Sequence, residues 1–248
     1  MKDEKLAVLI DADNIPYKNV KEMLDEIAKY GNPTIKRIYA DWTSSRVTGW
    51  KNVLLENAIT PIQQYSYTTG KNSSDSALII DAMDLLYSKK VNGFCIVSSD
   101  SDFTRLATRL REAGMLVIGM GERKTPKPFI TACDKFIYLE ILKKQKESNT
   151  KESGKKQSDS KSESSSVNKI DRELIRLIKD SIDEISDENG WAFLGSLGNY
   201  ILKKKTDFDP RNYGFPKLFP LIKKIGEFEI SEKETGEKNI RHIYVKNK

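Results

Sequence analysis

Two apolar runs in this chain each end in a cluster of acids. Leu6-Ala7-Val8-Leu9-Ile10 leads into Asp11-Ala12-Asp13-Asn14, and Phe94-Cys95-Ile96-Val97 leads into Ser98-Ser99-Asp100-Ser101-Asp102. A third acid, Asp75, opens a helical pattern between them. In an open parallel sheet the carboxyl ends of the strands open on a shared crevice, where ligands bind. Carboxylates delivered there from separate strands converge, and converging like charges persist only with a cation among them. Hard oxygen donors of this kind suit Mg²⁺ or Mn²⁺. The chemistry they point to is metal-dependent transfer at a phosphate.

Each acid has a plainer alternative. Asp13 and Asn14 fit turn chemistry. Asp75 could complement the dipole of a helix whose first turn it occupies. On a wheel of 75–87, Leu78, Ile79, Ala82, Met83, Leu85 and Leu86 fall within about 80° of Asp75, which turns its carboxylate toward the sheet. Asp81 lies about 120° away and Asp84 about 180°, at the edge and on the solvent side. One of Asp100 and Asp102 is expected to be a helix N-cap, leaving one direct ligand. Ser98 and Ser99 are expected to donate to a phosphate oxygen, and Lys71 to attract one or else stand as a loop charge.

The elements that position these residues alternate. Strands are expected at 6–10, 35–40, 60–65, 94–98, 115–120 and 136–139, and helices at 18–30, 46–58, 75–89, 103–113 and 127–134. Gly31, Gly93 and Gly114 stand where helix C-caps would fall. Such alternation argues a parallel sheet with helices on both faces.

The blocks Leu9–Asn14, Lys71–Asp81 and Ile96–Phe103, in this order and spacing across about residues 5–140, resemble the NYN domain, a branch of the PIN-like ribonucleases. The resemblance implies a Rossmannoid parallel sheet and a divalent-metal endoribonuclease. Its catalytic and metal-binding acids would be Asp11, Asp75, Asp100 and Asp102, with Asn14 as a polar partner. Asp81 also falls on an acid of that pattern, against the wheel. The residues accommodate this chemistry, because water activated by a metal needs no histidine and the one histidine, His242, is far along the chain. A haloacid-dehalogenase-type phosphatase is the enzymatic rival, since Asp11-x-Asp13 also looks like its nucleophile motif. Ser98-Ser99 running straight into Asp100 leaves no room for that family's lysine motif.

Residues 143–169 contain one aliphatic residue, Val167, and cannot bury enough surface to offset ordering. They are expected to be a flexible polar linker between residues 1–142 and 170–248. The net charge of +6 lies largely there: the linker holds 8 Lys+Arg against 4 Asp+Glu, whereas the flanking regions hold 19 against 18 and 15 against 14. Bulk charge therefore says little about nucleic acid, and local clusters must carry that argument. The chain has no apolar run near the roughly 20 residues of a membrane span. Its two cysteines do not form a disulfide framework, so a cytoplasmic, reduced setting is expected.

From Ile170 the chain reads as three helices and a β-hairpin, a small winged-helix (α+β) domain with an exposed wing at 231–239. Trp191, Leu194, Leu197-Gly198, Phe208-Asp209-Pro210-Arg211-Asn212-Tyr213-Gly214, Leu218 and Ile222 resemble a LOTUS, or OST-HTH, domain. That resemblance implies RNA binding. Lys203, Lys204 and Lys205 with Arg211 form a dense cationic patch suited to phosphates; a solvated helix face is the plainer alternative. Trp191 and Phe208 are expected in the core. The expectation is a metal-dependent endoribonuclease with an RNA-binding module. Its alternatives are a non-catalytic RNA-binding adaptor with the same fold, and protein partners docking on the second domain.

Overall fold

The computed structural model describes residues 4–65, 73–142, 168–234 and 241–248. Lys71, most of the expected linker and the tip of the expected wing lie outside these residues. The chain divides into two compact units, Met1–Ser158 and Asp159–Lys248.

In the first unit strands and helices alternate. The strands are β1 (Lys5–Asp11), β2 (Asn32–Ala40), β3 (Thr60–Gln63), β4 (Gly93–Val97), β5 (Leu116–Gly121) and β6 (Lys135–Tyr138). The helices are α1 (Val20–Ile27), α2 (Thr48–Leu54), α3 (Ser73–Ser88), α4 (Thr104–Glu112) and α5 (Lys127–Ala132). All the strands pair in parallel, in the order β3-β2-β1-β4-β5-β6. Parallel neighbours need long crossovers, and the alternating helices supply them. The order runs outward in both directions from β1 and β4, so the crossovers diverge there and open a crevice beyond the strand ends.

Because both faces are covered, the central strands are continuously apolar, from Leu6 to Ile10 in β1 and from Phe94 to Val97 in β4. Leu6, Val8 and Ile10 of β1 pack with Cys95 and Val97 against Val20, Met23 and Ile27 of α1 and Trp50 of α2. Ala7 and Leu9 pack with Phe94 and Ile96 against Leu78 and Ala82 of α3, Leu106 and Leu110 of α4, and Phe129 of α5. Burying each such Leu or Ile contributes about 1.5–3 kcal/mol. The second phase continues past the apolar run. On the α3 side, β1 presents Asp11 after Leu9, β4 leads to Ser98 after Ile96, and β2 presents Arg37 and Tyr39 opposite Leu9 and Asp11.

The expected elements are present; most helices are shorter than expected, whereas β1 and β2 run longer and α3 begins two residues earlier. The helix expected over 127–134 stops at Ala132 because Asp134 leaves it to accept hydrogen bonds from Val117 N and Arg111 Nε, both at 2.8 Å. Gly114 is the expected left-handed cap, with φ of 78°. Gly31 and Gly93 are not. They stand where neighbouring backbone passes close: a Cβ would come within 2.4 Å of Glu4 O at Gly31 and 2.8 Å of Leu116 O at Gly93.

The cysteines are free and buried on opposite faces of the sheet, Cys95 on the α1 side and Cys133 under α5. Burial pushes the Cys133 thiol up to about 12 and that of Cys95 higher still.

The second unit packs α6 (Arg172–Ile185), α7 (Leu194–Lys204) and α8 (Leu218–Ile225) on a small antiparallel sheet. Its strands β7 (Ala192–Phe193), β8 (Phe228–Glu234) and β9 (Arg241–Asn247) lie in the order β7-β9-β8. Asp171 caps α6 by accepting from Leu174 N at 2.8 Å, satisfying a donor the helix leaves free. Leu174, Ile178, Leu197, Ile201, Phe208, Leu221, Ile222 and Val245 form the core. Trp191, expected in the core, is not a member of it and is only half-buried. The strand β7, two residues long, is an element the sequence pattern did not announce. No helix among the described residues is long and apolar enough to cross a membrane.

Gly119 in β5 tests the packing of the α3 side. A Cβ there would fall 2.6 Å from both Cys133 Sγ and Phe136 Cδ2. Gly119→Ala is expected to destabilise the first unit by about 1–3 kcal/mol through overpacking. The urea midpoint followed by fluorescence of buried Trp50 should fall with an unchanged slope; an unmoved midpoint would contradict the close packing.

Candidate functional site

Asp11 ends β1 in the phase that faces α3, and it is 1% exposed. Three donors hold its carboxylate. Oδ2 accepts from Ser98 Oγ and from Asn14 Nδ2, each at 2.7 Å, and Oδ1 accepts from Asp13 N at 3.1 Å. Burial raises its pKa above the ordinary value, the Ser98 and Asn14 hydrogen bonds pull it back, and the charge of Asp13 raises it again.

Asp75 sits in the first turn of α3 and is 7% exposed. Its pKa is pushed up to about 7, first by burial and then by the charges of Asp11, Asp100, Asp102 and Asp13. The four neighbours come from two other segments, the end of β1 with the loop after it and the loop that follows β4. One carboxylate oxygen each from Asp75, Asp100 and Asp102 lies within 4.8 Å of the others.

Backbone turns fix these loops. Asp100 is the N-cap of a short 3-10 turn, Ser101–Phe103, and its Oδ1 accepts from Asp102 N at 2.9 Å. Its own N–H donates to Ser98 Oγ at 3.1 Å, so one serine hydroxyl ties the end of β4 to the end of β1. Asp13 Oδ2 accepts from Ser74 Oγ at 3.2 Å, joining the loop after β1 to the start of α3.

The sequence expectations meet this geometry unevenly. Asp75, Asp100 and Asp102 come together, and the capping acid Asp100 is a member of the group rather than an alternative to it. Asp11 adjoins Asp75 electrostatically but is not one of the three, its oxygens being taken by Ser98, Asn14 and the Asp13 amide. Asn14 faces Asp11. Ser98 and Ser99 were expected to donate to a phosphate, and the structure corrects this for Ser98, while Ser99, engaged as an acceptor, keeps its own proton. Ser98 Oγ donates to Asp11 and is fully buried, and Ser99 Oγ accepts from Glu122 N at 2.9 Å.

Asp81 is outside the cluster. It forms an ion pair with Arg37 Nη1 and accepts from the hydroxyl of Tyr39, both on β2. Burial and the Asp81 charge hold the Tyr39 hydroxyl well above its ordinary pKa. Sequence reasoning missed these partners. The available signal was Arg37, a charged residue in a strand that a doubly covered sheet would fill with apolar side chains.

In the second unit the expected cationic patch is partly neutralised. Arg211 grips Asp209 through Nε at 3.0 and 3.1 Å and through Nη2 at 2.6 Å, a mostly buried fork that resists opening. Lys204 Nζ lies 2.7 Å from Glu184 Oε2 and 5.1 Å from the centre of the Tyr200 ring. Lys205 stands beside Tyr213, where its charge offsets part of the rise that burial gives the phenol, and Lys203 is exposed.

The donor set fits a hard divalent cation. Two adjacent oxygens on one octahedral Mg²⁺, each at 2.0–2.1 Å, stand about 2.9 Å apart, so three oxygens within 4.8 Å of one another need to close by at most about 2 Å, within reach of side-chain rotation. Such an ion would also remove the repulsion that lifts Asp75.

The family model for the NYN domain matches residues 5–140, and that for the OST-HTH/LOTUS domain matches residues 165–240. A crystal structure of a protein of unknown function from Vibrio parahaemolyticus is similar at 19% identity, covering 55% of this chain and 93% of its own, with a TM-score of 0.46. A solution NMR structure of an uncharacterized protein from Nitrosomonas europaea has 27% identity over 38% of this chain and 92% of its own, with a TM-score of 0.30. No curated protein matches.

The electrostatics predict a pH dependence with a definite sign. The Asp75 pKa is raised in the folded state, so between about 4 and 7 the folded chain binds more protons than the unfolded one. Stability in chelator should therefore fall as pH rises through this window. Thermal midpoints in EDTA should decline more steeply between pH 4 and 7 for wild type than for Asp75→Asn. Identical slopes for the two proteins would show that Asp75 titrates normally.

Proposed function

The chain belongs to the NYN domain family, and we propose that it is a Mg²⁺- or Mn²⁺-dependent endoribonuclease whose second, OST-HTH/LOTUS unit binds RNA. The observation that carries this reading is the convergence of Asp75, Asp100 and Asp102 within 4.8 Å at the divergence point of the sheet.

Asp75, Asp100 and Asp102 would hold the ion. When bound, the ion supplies a lowered pKa for a coordinated water and countercharge for a phosphodiester oxygen. The protein's own work is to keep three carboxylates aimed at one point. Asp100 is aimed by its cap on the 3-10 turn, Asp75 by the docking of α3 on the sheet, and both loops by Ser98. Asp11, backed by Ser98 and Asn14, holds further negative charge behind the cluster. It is the largest electrostatic reason that Asp75 is protonated near neutrality without a cation. Since ligands must be deprotonated to bind, affinity for the ion should rise with pH through about 7. The first unit contains no histidine, in keeping with a reaction whose base is metal-activated water.

Cleavage of single-stranded RNA is expected to require Mn²⁺ or Mg²⁺ and to stop in EDTA. Asp75→Asn or Asp100→Asn should lower kcat by more than about 100-fold, beyond the loss typical of groups that only support a ligand, with folding intact. The ion should also raise the wild-type thermal midpoint, by about 2.7 kcal/mol of stabilisation at a hundredfold excess over Kd. A chain that binds RNA but shows neither cleavage nor a metal-induced shift is the adaptor, not the nuclease.

A further inference from the structure

The second unit carries an aromatic face with cations at its border. In the antiparallel pairing Phe193 lies opposite Tyr244, and Lys233 opposite His242. Directly paired residues share a face, so these four stand on one side of the sheet. The alternate positions Ala192 and Val245 are fully buried on the other side. The Phe193 ring centre is 5.3 Å from that of His242 and 5.8 Å from that of Tyr244.

This face is open. Phe193 is 40% exposed, although a phenylalanine in a unit this small would ordinarily serve the core. Room has been left for its ring: a Cβ on Gly195 would fall 2.7 Å from Phe193 Cε1. Lys233 Nζ lies 5.1 Å from the Tyr244 ring centre. Lys246 is on the same face, opposite Glu229. Among the described residues of this face, two lysines and one acid thus stand around the three rings.

We infer that this sheet face, built on Phe193, Tyr244 and His242 with Lys233 and Lys246 beside them, is a stacking platform for unpaired bases of single-stranded nucleic acid. Flat rings at adjacent positions on a sheet accept successive base faces, and bordering lysines meet the phosphates. Bases inside a duplex already stack on one another, so a duplex offers this face nothing but its backbone. Stacking is tolerant of base identity, so the platform has affinity with little sequence readout. The inference rests on the reading of the second unit as an RNA binder and relocates the contact. The lysine–arginine cluster at 203–211 is partly spent on Glu184 and Asp209, whereas on the sheet face Phe193 is 40% exposed and Tyr244 and His242 are half-buried.

The test is fluorescence anisotropy with the full chain in EDTA, where cleavage does not intrude. The probes are labelled oligouridine and oligoadenosine of about 12 nucleotides, within the site sizes of such platforms, and an RNA duplex of equal length. Phe193→Leu and Tyr244→Leu should each weaken binding of both single strands roughly 5- to 100-fold while leaving the salt dependence unchanged. Tyr244→Phe, which keeps a ring, should bind like wild type and controls for folding. Lys233→Ala should lower the salt slope by about 0.7. Leucine variants that melt normally and bind at wild-type affinity overturn the platform. If binding is lost instead in Lys203→Ala/Lys204→Ala, RNA binding by the unit stands and only its location is wrong. If wild type binds none of the probes, the face is not a nucleic-acid platform and an exposed aromatic surface for a protein partner replaces it. Metal-dependent cleavage, measured separately, decides the nuclease reading independently of all three results.

Discussion

Taking a carboxylate out of water is unfavourable unless hydrogen bonds or a cation replace the lost solvation, and this protein buries two side by side. Asp11 meets part of the demand with hydrogen bonds from a hydroxyl, an amide and a backbone N–H. Asp75 does not, and its pKa near 7 records the shortfall. The rest of the first unit is arranged around that tension. The sheet diverges at β1 and β4, so acids carried on their ends must meet. The apolar layers on either face hold the strands still enough that the acids cannot drift apart to relieve the repulsion.

Helix α3 is fixed at both ends of its first two turns. Ser74 reaches Asp13 at the start, and Asp81, nearly two turns on, is clamped between Arg37 and Tyr39. The clamp is made of ionic and polar groups on a face that is otherwise apolar. An ion pair in that position adds little net stability but fixes register, because sliding α3 by one residue would leave Arg37 and Asp81 half-buried without partners. Asp81 therefore stands outside the acidic cluster and ties α3, the helix that carries Asp75, to β2.

Much of the fold could be read from the chain because β1 and β4 are continuous apolar runs and the helices between strands are strongly periodic. The acids at strand ends were visible for the same reason. The supports were not. Recognising Arg37 and Tyr39 as partners of Asp81 requires the β1–β2 register, which sets Arg37 opposite Leu9, and no local pattern encodes it. Ser98 looked like a donor to substrate because its type and place suit both roles, and burial alone decides between them. The cationic cluster at 203–211 was read from density along the chain, which cannot show that Glu184, on another helix, answers Lys204. The aromatic face was hidden twice over. Phe193 and Tyr244 are far apart in sequence, and β7 is too short to leave an alternating signature.

The two cysteines give the molecule an unplanned property. Both belong to the first unit, and each lies in a different layer, one on either side of the sheet. Alkylating reagents attack the thiolate, and burial keeps both sulfurs protonated and enclosed. Each cysteine can react only when its own layer opens, so the two modification rates clock the breathing of the two helical layers separately. The second unit, having no sulfhydryl, stays silent throughout. The native chain is thus already labelled for a kinetic dissection of its own local unfolding, with no residue changed.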